Sequence, residues 1–82
     1  MDKKDAMQQV LFVRSNHPEI QTQFVFDSII EYINKQDDFS YSKLHRFIDS
    51  LMPTKMGGIY IEIGRSLRHL KQRLKMTKKI NA

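Results

Sequence analysis

The chain has 82 residues, a net charge of +5 and no cysteine. A chain of this length forms one domain with a single modest core, and the lack of cysteine excludes disulfide bridges, zinc–thiolate sites and cysteine nucleophiles. Its apolar runs have at most four residues, far below the roughly 20 that span a bilayer. We therefore expect a soluble cytoplasmic protein that makes no contact with membranes.

Acidic and basic residues are unevenly distributed along the chain. Residues 1–41 carry seven acidic and four basic side chains, a net charge of −3, whereas residues 42–82 carry ten basic and two acidic side chains, a net charge of +8. A separation of this size is typical of proteins in which one part faces a polyanion. A lysine-rich surface that only keeps the protein in solution would give the same charge separation. The charge therefore favours a polyanionic partner without proving that there is one.

A first helix is predicted from Asp2 to about Arg14. Asp2 or Asp5 can cap its amino-terminal end, and apolar side chains recur along one side of it. The continuous apolar run at residues 10–13 also fits a short buried strand. The residues before Pro18 end the helix, because a residue that precedes proline is biased away from helical conformation.

A second helix is predicted from Pro18, whose missing N–H is not needed in the first turn, to about Gln36. Its apolar residues form an arc wide enough for the central helix of the core. Ile20 and Phe24 lie outside this arc. We expect both in the core of the monomer rather than at a subunit interface.

A third helix is predicted over residues 41–52. Ser40 is a good N-cap, and Pro53 marks the end of the helix. Lys43 and Arg46 face solvent in this arrangement. The side chains expected to face the core are Leu44, Phe47, Ile48 and Leu51.

Residues 59–63, Ile-Tyr-Ile-Glu-Ile, follow a pair of glycines and admit two structures. Their alternation is a strand signature, and only residues 10–13 offer a partner strand. A ribbon of two strands is marginally stable, so we prefer a helix that continues into the next segment. The alternative is an α+β fold with a short ribbon of residues 10–13 and 59–63.

Residues 63–76 have the clearest helical pattern in the chain. Ile63, Leu67, Leu70 and Leu74 form a narrow apolar stripe with spacings of 4, 3 and 4, and the other side is basic and polar. Such a helix can seat its stripe in a small core and present the basic side to a groove or a phosphate backbone. We expect residues 1–76 to form the single helical domain and residues 77–82 to form a basic, flexible tail.

Ten side chains are candidates for contacts with nucleic acid. Arg65 and Arg68 can each bond guanine through two hydrogen bonds, and Gln72 can bond adenine in the same way. His69 can bond a base edge or a phosphate. Five lysines favour phosphate and give affinity without sequence information: Lys55, Lys71, Lys75, Lys78 and Lys79. Arg73, at the border of the basic side, is the tenth candidate.

The sequence of residues 63–73, Ile-Gly-Arg-Ser-Leu-Arg-His-Leu-Lys-Gln-Arg, resembles the recognition helices of winged-helix and helix-turn-helix transcription regulators. The shared pattern is an apolar residue, polar pairs, then Leu-x-x-Leu before a basic end. The resemblance implies a helix-turn-helix-like pair of the third and fourth helices and binding in the DNA major groove, commonly as a dimer. It also implies base reading by Arg65, Arg68, His69 and Gln72. The connection at residues 52–58 is longer than the usual turn of that family, and no wing hairpin follows Leu74.

Catalytic and metal-binding motifs are missing from the sequence. His17, His45 and His69 are far apart and lack the spacing of metal ligands. The Gly57-Gly58 pair lacks the residues that surround a phosphate loop. We therefore expect no enzymatic activity, no cofactor, no bound metal and no small-molecule substrate.

The patterns together predict a compact all-α bundle of about four helices. Its expected core is Val10, Leu11, Val25, Ile29, Ile33, Leu44, Phe47, Ile48, Leu51, Ile63, Leu67 and Leu70. The expected function is DNA binding in the control of transcription or replication, with double-stranded DNA as the partner. The alternative is a small module that binds and modulates another protein or a second copy of itself, since the stripe of residues 63–74 also fits a helix–helix seam. RNA binding is a third option, which the same basic side permits.

Overall fold

The computed structural model describes residues 2–81, with side chains described for residues 2–78. It contains four helices in that range: α1 (Lys3–Ser15), α2 (Ile20–Lys35), α3 (Tyr41–Leu51) and α4 (Ile59–Asn81). Residues 2–81 form no strand. The predicted all-α fold is therefore confirmed. The alternative ribbon of residues 10–13 and 59–63 is wrong, because both segments are helical.

Helix α4 begins directly after the glycine pair. Gly57 and Gly58 have positive φ angles of 93° and 53°, which glycine adopts without the steric cost of a Cβ atom. Their carbonyl oxygens accept hydrogen bonds from the backbone N–H groups of Tyr60 at 3.1 Å and Ile61 at 3.3 Å. These bonds form the first turn of the helix, so the alternating residues 59–63 enter α4 instead of a strand.

Two predicted N-caps are present. The Asp2 carboxylate accepts a hydrogen bond from the backbone N–H of Asp5 at 2.8 Å, which holds the pKa of Asp2 below its usual value. The Ser40 hydroxyl accepts a hydrogen bond from the backbone N–H of Lys43 at 3.2 Å. Each cap satisfies one of the N–H groups that a helix leaves unpaired at its start.

The turn between α1 and α2 is held by a side chain that the sequence does not single out. The Gln23 amide donates hydrogen bonds to the carbonyl oxygens of Arg14 at 3.1 Å and His17 at 2.7 Å. One residue of α2 thereby bonds a carbonyl group in the last turn of α1 and another in the connection that follows. Helix α2 begins at Ile20, two residues later than predicted, since Glu19 still has an extended ψ angle of 136°.

The core is formed by one stripe of each helix. Most predicted core residues are fully buried, and Val25, Phe47, Leu51 and Ile63 are half-buried against them. The fully buried apolar residues are Ala6, Val10, Val13, Phe26, Ile29, Ile33, Leu44, Ile48, Leu67, Leu70 and Leu74.

Three predictions of burial are wrong. Leu11 is 49% exposed, because α1 turns positions 6, 10 and 13 toward the core and Leu11 lies beside that stripe. Ile20 and Phe24 are 69% and 66% exposed, because α2 faces the core with positions 26, 29 and 33. Ile20 and Phe24 therefore form an apolar patch on the outer side of α2.

Helices α1, α2 and α4 pack on one another, and α3 packs against α2 and α4. The rings of Tyr32 in α2 and Phe47 in α3 stack with their centroids 4.1 Å apart. Helix α4 continues through residues 77–81, the segment that the sequence assigns to a tail; the flexibility of that segment stays a prediction. None of the helices within residues 2–81 is both long and apolar enough to cross a membrane.

Candidate nucleic-acid interface

Four of the candidate side chains form one exposed ridge along α4. The ridge consists of Arg65, Arg68, Gln72 and Lys75, all exposed and separated by 3, 4 and 3 residues, so they share one side of the helix. The buried stripe that includes Leu67 and Leu70 lies on the other side and orients the ridge toward solvent. At about 1.5 Å per residue, the ridge is roughly 15 Å long.

Both acidic residues in the second half of the chain are paired within the molecule. The Glu62 carboxylate lies 3.6 Å from an Arg65 nitrogen. The Asp49 carboxylate lies 2.6 Å from Lys71 Nζ and 3.3 Å from His45 Nδ1. The hydrogen bond from Lys71, assisted by the charge of His45, holds the pKa of Asp49 below its usual value. These contacts remove the only two carboxylate side chains of residues 42–82 as free negative charges.

Arg68 and Lys75 keep their charges available on the ridge. Among the side chains of residues 2–78, no carboxylate forms an ion pair with either of them. The Arg68 guanidinium lies back over Gly64: a Cβ atom built at Gly64 would come 3.2 Å from Arg68 Nη1. Glycine at position 64 therefore gives Arg68 room to lie along the helix surface.

Arg73 is used in packing between α1 and α4. Its Nε donates a hydrogen bond to Gln9 Oε1 at 2.9 Å. Its guanidinium carbon lies 4.3 Å from the centroid of the Phe12 ring, a cation–π contact. Arg73 therefore joins two helices and lies apart from the ridge.

His69 also lies between elements rather than on the ridge. Its Nδ1 is 3.1 Å from Nε2 of His17, which precedes α2, and its ring meets the edge of Phe12. Burial lowers the pKa of His69, and the nearby charges of His17 and Arg73 lower it further. A neutral ring at neutral pH is the consequence.

The remaining candidates are lysines at the margins of the ridge. Lys71 is paired with Asp49, as described above. Lys55, in the connection between α3 and α4, has its Nζ 5.9 Å from the Tyr60 ring centroid, and Lys78 has its Nζ 4.5 Å from that of Tyr41. Lys79 lies outside the residues whose side chains are described.

A cavity of about 320 Å³ lies beside the start of the ridge. Arg68 and Lys55 supply its positive charge. Its apolar walls come from the connection and from the first turns of α4, and they are Met52, Pro53, Met56, Tyr60 and Ile61. An apolar cavity next to basic groups suits a partner that has an apolar group beside a negatively charged one.

The structure adds residues of α3 to the basic surface. Arg46 is exposed, and no ion pair with it is found among the side chains of residues 2–78. It lines a groove between α3 and α4 together with Lys78. The sequence places Arg46 on the outer side of α3, but no local spacing indicates which part of α4 lies next to it.

The described residues contain no cluster of three His, Cys, Asp or Glu side chains that could hold a metal ion. Comparisons of this chain with protein-family models, with curated proteins and with solved structures found no match.

Proposed function

We propose that this chain is a non-enzymatic, cytoplasmic DNA-binding protein that acts in the control of transcription or replication. The observation that carries the proposal is the α4 ridge. Its cations and its glutamine face solvent, while the two carboxylate side chains of residues 42–82 are each paired with a basic side chain of the same chain. Helix α4 thereby offers double-stranded DNA a positive surface with hydrogen-bond donors.

The ridge side chains have distinct roles in this proposal. The major groove is about 12 Å wide and admits an α-helix. Arg65 and Arg68 bond the O6 and N7 atoms of guanine, Gln72 bonds adenine, and Lys75 bonds phosphate. A ridge of roughly 15 Å spans about four base pairs at about 3.4 Å per base pair. Helices α3 and α4 then act as a helix-turn-helix-like pair joined by residues 52–58.

The proposal is tested by measuring the affinity for a labelled duplex at 50 and 200 mM salt. With about four phosphates neutralised, affinity falls roughly 100-fold over this range, since each phosphate contributes a slope of about −0.9. The double variant Arg68→Gln/Lys75→Gln removes one base contact and one phosphate contact, so it is expected to weaken binding and to reduce the steepness of the slope by about 0.9.

The matched control is the double variant Lys3→Gln/Lys4→Gln. It changes the net charge by the same amount, but both residues lie on α1. Its affinity and salt slope are expected to stay close to those of the unmodified protein. Equal losses in the two double variants would show that the ridge is not the contact surface, and no binding at 50 mM salt would refute DNA binding altogether.

A protein-interaction module is the second candidate, and the apolar patch of Ile20 and Phe24 favours it. Isolated apolar residues are common on surfaces, but these two are adjacent on one side of α2 and more than 60% exposed. Under this alternative, Phe24→Ser abolishes partner binding while Arg65→Ala/Arg68→Ala leaves it intact. The proposed function predicts that Arg65→Ala/Arg68→Ala abolishes duplex binding and that Phe24→Ser leaves it intact.

RNA is distinguished from DNA by competition. Unlabelled structured RNA and unlabelled duplex DNA of equal length are added to the labelled duplex complex. The proposed function predicts that the duplex DNA competes at lower concentration, because an α-helix enters the major groove of B-form DNA but not the deep, narrow one of A-form RNA.

A further inference from the structure

A groove of about 480 Å³ lies between the first turns of α3 and the end of α4. It is lined by Tyr41, Ser42, His45, Arg46 and Lys78. Arg46 and Lys78 give the groove its positive charge, and none of its lining residues carries a carboxylate. The groove is therefore suited to an anion.

Contacts between α3 and α4 hold the walls of the groove in place. At one end, Lys78 Nζ lies 4.5 Å from the centroid of the Tyr41 ring. Farther along, Lys71 Nζ lies 2.6 Å from the Asp49 carboxylate. The residue order of these two contacts shows that α3 and α4 run antiparallel along the groove.

Asp49 is the only acidic residue of α3, and it does not cancel the positive charge of the groove. Its two carboxylate oxygens are engaged by Lys71 and by His45. Arg46 lies on the outer wall and is exposed. Two full positive charges, those of Arg46 and Lys78, thus remain directed at the same space.

The groove is continuous with the α4 ridge. Lys75, the last residue of the ridge, precedes Lys78 by three residues, so the two side chains are neighbours on the helix surface. A phosphate backbone that passes Lys75 therefore reaches the groove within about one helical turn.

We propose that this groove binds a phosphodiester group of the nucleic acid whose bases contact the α4 ridge. Arg46 offers two parallel N–H donors to phosphate oxygens, Lys78 offers an ammonium group, and the hydroxyl groups of Tyr41 and Ser42 complete the set of donors. The inference rests on the proposed function. It adds α3 to the contact surface, so that the backbone of one strand crosses from α4 onto α3.

The test measures duplex affinity against salt concentration for Arg46→Gln and Lys78→Gln. Each variant is expected to reduce the steepness of the salt slope by about 0.9. The fold-loss of affinity between 50 and 200 mM salt is then roughly three times smaller for the variant than for the unmodified protein. Each also weakens binding to different duplex sequences by the same factor, because a phosphate contact carries no sequence information. Arg46→Lys, which keeps the charge, is expected to retain the slope.

The control variant is Lys4→Gln. It removes the same charge, but Lys4 lies on α1, which packs on α2 and α4 rather than on α3, and it is not among the residues that line the groove. Its salt slope is expected to be unchanged. A normal slope for Arg46→Gln and Lys78→Gln, with a reduced slope for Arg68→Gln/Lys75→Gln, would refute the groove while leaving DNA binding by α4 intact. A loss of slope in Lys4→Gln as well would show a general charge effect and would also overturn the groove.

Discussion

Two hydroxyl groups are fully buried in the core, and their hydrogen bonding differs. Ser66 Oγ donates to the carbonyl oxygen of Ile63 at 2.8 Å. Thr22 Oγ1 has no hydrogen-bond partner among the described residues. A buried hydroxyl without a partner loses its hydrogen bond to water and gains nothing in return, at a cost of about 1–3 kcal/mol. Thr22 therefore weakens the core, whereas the hydrogen bond of Ser66 offsets the cost of burying its hydroxyl.

Replacing Thr22 with valine should stabilise the protein. Valine has the same shape without the hydroxyl, and the two residues have similar helix propensities. We expect the free energy of unfolding to rise by about 1 kcal/mol, measured by urea denaturation followed by circular dichroism. Thr22→Ser keeps the hydroxyl and loses the methyl group, so it should be less stable than the unmodified protein. A stability loss in Thr22→Val would mean that the hydroxyl has a partner in solution.

The His17–His69 pair makes stability depend on pH. When both rings are protonated, neither nitrogen of the 3.1 Å contact can accept a hydrogen bond. Burial already lowers the pKa of His69 below its ordinary 6.5. The unfolded chain therefore takes up this proton at a higher pH than the folded chain does, and stability falls as the pH decreases.

We expect the free energy of unfolding to begin to fall as pH drops through about 6.5, the unfolded value, and to keep falling until the folded pKa of His69 is passed. His69→Gln removes this titration and should flatten the pH dependence in that window. His45→Gln, which changes a histidine that lies on α3 beside Asp49, is the control and should keep the slope contributed by His69. Equal pH profiles for the His69→Gln variant and the unmodified protein would contradict this account.

Three glycines lie near the start of α4, two before the helix and one within it. Gly57 and Gly58 have positive φ angles and no atoms within 4 Å of an added Cβ, so the cost of a side chain there lies in the backbone alone. Gly64 lies inside the helix, where glycine is less favourable than alanine by about 1 kcal/mol. The nearest atoms to its added Cβ belong to the flexible end of Arg68.

The same substitution should therefore have opposite effects within one short segment. Gly57→Ala and Gly58→Ala are each expected to lower the free energy of unfolding by about 1–2 kcal/mol, the cost of a side chain at positive φ. Gly64→Ala is expected to raise it by up to about 1 kcal/mol, as Arg68 swings away. Thermal unfolding of the three variants in parallel measures all three effects. Destabilisation by Gly64→Ala would show that Arg68 is fixed against the helix.

The assembly of the helices decides which phenylalanine of α2 matters for stability. Phe26 is fully buried, whereas Phe24 is 66% exposed. Phe26→Ala should cost about 3–5 kcal/mol because it leaves a cavity in the core. Phe24→Ala should change the free energy of unfolding by less than about 0.5 kcal/mol, as at other exposed positions.

Urea denaturation at two protein concentrations checks this contrast and tests self-association as well. If a second copy covers Phe24 in solution, the unmodified protein becomes more stable at higher concentration, and Phe24→Ala removes that dependence. A concentration-independent result for both proteins means that the patch is open in solution.

Much of the fold could be predicted from spacing and capping. Ser40, Pro53 and the stripe at residues 63, 67, 70 and 74 act through their immediate neighbours, and the helices they indicate are present. The exposed basic ridge of α4 follows from the same stripe. Leu11 shows the limit: it lies next to Val10 in an apolar run, and only the direction from which α2 and α4 approach α1 decides which of them is buried.

Local chemistry along the chain was enough to specify four helices, a charge separation and one basic helix, because caps, glycines and helical periodicity act over a few residues. Only the packing of the helices against one another determined which side chains the basic residues contact. Arg73 meets Gln9, Lys71 meets Asp49 and His69 meets His17, across separations of 64, 22 and 52 residues. Such pairs leave no periodic signal, since packing between helices, and not spacing within one helix, determines which charges are paired and which stay free for a partner.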